Sequence, residues 1–190
     1  METKTLSVDL HGPFSLLPEE GAQSLLAIPT ARGAGLFLWT IEHNRAHRIH
    51  FVGAAADSIA RENMTLVSQI LLGSRPIYDQ DKMTDGALEV LADAASSSDQ
   101  QCLAAPSALE QIHRINVFFA PTLETQFAGK DIDNLVCHGI IRKLLKFGEI
   151  PTAWLEHSLR REPAETASEG LTIRFQRPAF IASLPDEMYL

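Results

Sequence analysis

The chain has 190 residues, 45% of them hydrophobic and 21% charged, which fits one domain with a real core and excludes wholesale disorder. Its formal net charge of −8 repels phosphate overall, so any contact with nucleic acid needs a local basic patch. Two cysteines, Cys102 and Cys137, make no disulfide framework or CxxC metal knuckle, and no apolar run approaches the ~18 residues of a membrane span.

The N-terminus carries no signal-peptide core, so a cytoplasmic protein without membrane association is expected. Residues 4–10 alternate as a strand through Leu6, Val8 and Leu10, and Gly12-Pro13 is expected to stop it. Residues 14–34 read as irregular. Gly35 to Ile41 (GLFLWTI) is apolar at nearly every position, the pattern of a strand covered on both faces and central in its sheet. A polar turn over 42–47 leads into a second strand, Arg48 to Gly53 (RIHFVG). Together they predict a hairpin.

Asp57 or Ser58 can cap a following helix to about Leu72, with Ile59, Leu66, Val67, Ile70 and Leu71 as its apolar face and Gly73 as its stop. Residues 74–86 read as a connector and Ala87 to Ala95 as a short helix. Ser96-Ser97-Ser98-Asp99 marks a flexible insertion over about 92–105. Ile115 to Ala120 (INVFFA) is a strand ended by Pro121. Asp131 to Phe147 is the longest helix signal, striped by Ile132, Leu135, Val136, Ile140 and Leu144, with acids at its start and lysines at its end. Gly148 is expected to close it. Leu171 to Phe175 alternates as a last strand before a Pro-containing tail. This order predicts an α+β fold, a small mixed β-sheet with helices packed on it, in a single domain with its core over about 35–150 and a C-terminal strand over 171–176.

Gly35-Leu36-Phe37-Leu38-Trp39-Thr40 and Phe51-Val52-Gly53 resemble the two halves of the GIY-YIG nuclease signature. The match is to a bacterial group whose hairpin reads roughly G-V-Y-L-W-T, a turn, then Y-V-G. Ile77-Tyr78-Asp79, Val117-Phe118-Phe119-Ala120-Pro121 and Ile140-Ile141-Arg142 are similar to that group as well. The resemblance implies a one-metal phosphodiester hydrolase in which two tyrosines, an arginine and a helix glutamate share acid–base, electrostatic and metal chemistry.

Carried over by position, Phe37 and Phe51 stand where the tyrosines would be, and a phenyl ring moves no proton. The arginine position falls on Arg61, or on Glu62 by the alternative count. The metal position falls on Cys137 or His138, neither the hard carboxylate that magnesium prefers; Asp133 lies about one turn earlier. The late polar position falls near Glu156-His157. The resemblance therefore implies a nuclease-like protein without phosphodiester hydrolysis, acting as a binding or interaction module, with a divalent metal only if activity persists.

Two rival readings are a divergent metal-dependent endonuclease and a regulatory subunit that binds a protein partner. Arg61, Arg142 and Lys143 are the candidate nucleic-acid contacts, with Lys146, Arg160 and Arg161 extending the basic patch. Lys and Arg at the end of a helix also have a purely stabilising role. His43, His47 and His50 are spaced four and three apart, but in a hairpin His47 and His50 should point to opposite sides and make no metal site.

Overall fold

The computed structural model describes residues 4–17, 20–79, 82, 89–123, 131–147, 170–182 and 184–190. The fold is α+β: among the described residues, three helices pack on mixed β-structure. The first strand, β1 (Lys4–Asp9), runs almost directly into β2 (His11–Ser15), so the chain turns into a second sheet where Gly12-Pro13 was expected to end the strand. Two short 3-10 turns, Leu25–Ala27 and Pro29–Arg32, lead to the central hairpin of β3 (Gly35–His43) and β4 (Ala46–Ala55). The turn is tighter than the sequence suggested. Only Asn44 and Arg45 lie outside the strands, both with positive φ, as a two-residue hairpin turn of matching twist requires.

Ser58 caps α1 (Ile59–Leu71), its hydroxyl accepting from the Arg61 N–H, and Gly73 follows with a φ of +67°. The connector holds a strand, β5 (Ile77–Asp79), paired antiparallel with β6 (Glu89–Ala92), where a short helix was expected. Four residues are too few to show a period, and pairing with β5 decides their conformation. The segment 92–105, expected as an insertion, contains the end of β6, a turn and the first half of α2 (Ser98–Arg114). Ser97 starts this helix with a capping box: its side chain accepts from the Gln100 N–H, and the Gln100 side chain accepts from the Ser97 N–H.

β7 (Ile115–Pro121) and α3 (Ile132–Phe147) lie where their sequence patterns placed them, as does β8 (Leu171–Gln176). The expected stop at Gly148 lies outside the described residues. The tail adds two short strands, β9 (Ile181–Ala182) and β10 (Glu187–Tyr189).

The strands form a five-stranded sheet of order β2-β7-β3-β4-β9, a three-stranded sheet of order β1-β8-β10, and the β5-β6 ribbon. β3 is central and its Leu36, Phe37, Leu38 and Trp39 are all buried, which is why its sequence does not alternate. Residues 136–141 of α3 are buried on every side of the helix. Cys137 faces β4, while a Cβ at Gly139 would collide with Met188 and Leu190, so α3 lies between the two larger sheets. No described helix is long and apolar enough to cross a membrane.

Candidate functional site

Phe37 and Phe51 share one side of the hairpin. Their registers lie two residue pairs apart: Phe37 lies opposite Gly53, and Trp39 lies opposite Phe51. The rings therefore meet diagonally, with centroids 5.9 Å apart for Phe37–Phe51 and 5.5 Å for Trp39–Phe51. Gly53 lies beneath them. A Cβ there would come within 2.6 Å of the Phe37 ring and 2.9 Å of the Phe51 ring, so the small residue and the two large ones form one packed unit. Both phenylalanines are buried.

A bulge between Trp39 and Thr40 inserts His50 into β4. It leaves Phe51 facing Trp39 and brings the His50 ring edge-on to Tyr78 of β5, with centroids 5.4 Å apart. His47 meets Phe118 instead, on the opposite side of the sheet, and lies 3.3 Å from the Thr40 hydroxyl. Burial lowers the His50 pKa to about 3, so the ring is neutral. Burial also lowers the pKa of His47, while Glu42 opposes that shift.

The cation on this aromatic cluster is Arg75, which the sequence did not single out. Its guanidinium carbon is 5.1 Å from the Phe51 centroid, and its Nε donates to Gln69 at 2.6 Å. Burial lowers the Arg75 pKa, with Glu62 and Tyr78 opposing. Burial also pushes the Tyr78 phenol up, with Arg75 opposing, so it is not a proton relay near neutral pH. Trp39 donates its indole N–H to Asn63 of α1, whose amide donates in turn to the Ile59 carbonyl at 2.8 Å. Gln111 of α2 accepts from the Tyr78 N–H at 2.9 Å. Asn63 thus ties α1 to the hairpin, and Gln111 ties α2 to β5.

Arg61 is exposed in the first turn of α1. Arg75, rather than Arg61, is the arginine stacked on the Phe51 ring. Arg142 and Lys143 are exposed next to each other on α3. The Lys146 side chain, Glu156-His157, Arg160 and Arg161 lie outside what is described.

Of the residues near the expected metal position, Cys137 is buried and donates its thiol to the Gly53 carbonyl at 3.3 Å. Burial raises its pKa, and Asp133 and Asp131 add to the rise, so the sulfur stays a thiol. His138, the next residue, is buried on α3 and turned about 100° around the helix. Both oxygens of Asp133 are engaged: one accepts from the Thr122 hydroxyl at 2.8 Å, the other from the Leu123 N–H at 3.0 Å. The carboxylate pins the end of β7 to the start of α3. Among the described residues, no three His, Cys, Asp or Glu side chains gather as a metal site.

A protonated thiol, a buried imidazole and a committed carboxylate do not fit a hard divalent cation. The hairpin with its α3 contact is a packed aromatic and thiol assembly. No family model, no curated protein and no solved structure matches the chain.

Proposed function

We propose that this chain is a cytoplasmic GIY-YIG nuclease-like protein that has lost phosphodiester hydrolysis and serves as a binding or interaction module. One observation carries this reading. Phe37 and Phe51 stand where the resemblance puts the family's phenols, and they form a closed unit with Gly53 and with Cys137, which together with His138 is one of the two residues on which the metal position can fall. The thiol on the Gly53 carbonyl supports the alignment as well as the loss, because it joins the α3 position to the FVG strand. Phenyl rings and a thiol in that unit neither relay a proton to water nor hold magnesium. Exposed Arg61, Arg142 and Lys143 are surface cations that suit a polyanionic partner.

The test is incubation of the purified protein with supercoiled plasmid and with RNA, across magnesium, manganese, zinc and nickel. No nicking above a metal-free control is expected. Metal-dependent nicking that disappears in Arg61→Ala would overturn the reading in favour of a divergent endonuclease.

A further inference from the structure

Exposed apolar surface gathers where α1 ends beside α2. Four large apolar side chains that water reaches lie on these two helices: Leu71 and Leu72 at the end of α1, and Leu103 and Leu109 on α2. A Cβ at Gly73 would come within 2.8 Å of the Gln101 side chain, which sets the end of α1 against the first half of α2. Leu103 is 82% exposed, the most of any large apolar residue among those described.

The turn of α2 gives this surface a symmetry. Ala104, Ala108, Gln111 and Ile112 are buried and define the inner side of the helix. At about 100° per residue, Pro106 lies opposite them, and Leu103 and Leu109, three residues before and after it, stand about 60° to either side. A two-fold axis through Pro106, normal to the helix, therefore brings Leu103 of one copy against Leu109 of another. The surface is complementary to itself. A compact proline at the crossing point lets two antiparallel helices close to ordinary packing distance, and the antiparallel fit opposes their dipoles. Together the four leucines leave on the order of 500 Å² of apolar surface in water, near the upper end for the largest patch on a typical monomer. That is close to the apolar share of the ~800 Å² that each partner gives to a standard interface, so the patch is large enough for a dimer.

We propose that this chain forms a two-fold dimer through α2, with Pro106 at the axis, Leu103 packed on Leu109 of the second copy, and Leu71 and Leu72 at the rim. The interface uses neither the hairpin unit nor the α3 cations, so it stands or falls apart from the nuclease-like reading, and the plasmid assay does not bear on it.

The test is the molar mass in solution, by light scattering after gel filtration, across about 1–100 µM protein. The mass should rise with concentration toward twice the 20.9 kDa of one chain. Leu103→Glu and Leu109→Glu should each weaken association about tenfold or more, because a carboxylate would be buried against leucine. Both positions are exposed, so at the lowest concentration their melting temperatures should match that of the native protein. Cys102 lies four residues from the axis, about 12 Å from its own copy along the helix, too far for a disulfide. Oxidation should therefore link chains carrying Pro106→Cys with Cys102→Ser and leave the native chain unlinked. A protein that is monomeric throughout overturns the proposal and leaves this face to a different partner. A dimer that survives both glutamate variants, or one that links through Cys102, overturns it as well.

Discussion

A methyl group at position 53 would meet ring carbons of both Phe37 and Phe51 at under 3 Å, and neither ring has room to retreat because both are buried. Gly53→Ala should therefore cost about 1–3 kcal/mol, the usual penalty for overpacking a filled core, read as a lower urea midpoint at unchanged slope. Adding Phe37→Leu should recover part of that loss, since the two substitutions act on one space and are not additive. An alanine variant as stable as the native protein would show that the rings do not close over position 53. At this scale the sequence was legible where chemistry depends on residue type. Phe37 and Phe51 could be read as packing from their missing hydroxyls alone. Arg75, Asn63 and Gln111 could not, because their roles come from partners 24 to 35 residues away.

The hairpin of β3 and β4 turns on Asn44 and Arg45, with φ values of 52° and 63°. Asparagine tolerates this region, whereas arginine pays a steric cost of about 1–2 kcal/mol for its Cβ. Arg45→Gly should stabilise the protein by about 1 kcal/mol, seen as a raised thermal midpoint, provided the exposed side chain makes no compensating contact. An unchanged or lower midpoint would mean that the Arg45 side chain itself holds the turn. The elements readable from sequence, the hairpin, α1, β7, α3 and β8, are those with bulky apolar residues at a helical or alternating spacing or, in β3 and β7, in a nearly unbroken run. The buried stripe of α2 is mostly small, Ala104 and Ala108 with Ile112, and its start is a run of serines that looks like a linker. β5, β6, β9 and β10 have two to four residues each and exist through their pairing partners.

For the molecule as a whole, the buried histidine predicts acid lability. The native His50 titrates near 3, against about 6.5 in an unfolded chain. Between those values the unfolded state binds a proton that the native state refuses. Stability from this group is thus fully present above pH 6.5 and is lost as pH falls toward 3, at roughly 1.4 kcal/mol per pH unit. His47, lowered in the same direction, adds to the loss. Chemical denaturation at neutral pH and near pH 5 should show a marked drop in the native protein and a smaller one in His50→Leu. Equal drops in the two proteins would place the lability elsewhere.

The three-stranded sheet joins β1 to β8 in parallel, with Lys4 opposite Leu171 and Asp9 opposite Gln176. The two strands lie near opposite ends of the sequence. Such a pairing raises the mean sequence separation of native contacts, the quantity that slows folding without weakening the folded state. α3, pressed between this sheet and the hairpin, meets it through Met188 and Leu190, which pair locally with β8, while β1 must join that sheet from far away in the sequence. The hairpin, closed by a two-residue turn, needs no such search. Assembly therefore has a natural direction, from the local aromatic unit outward to the sheet that ties the chain's distant segments together.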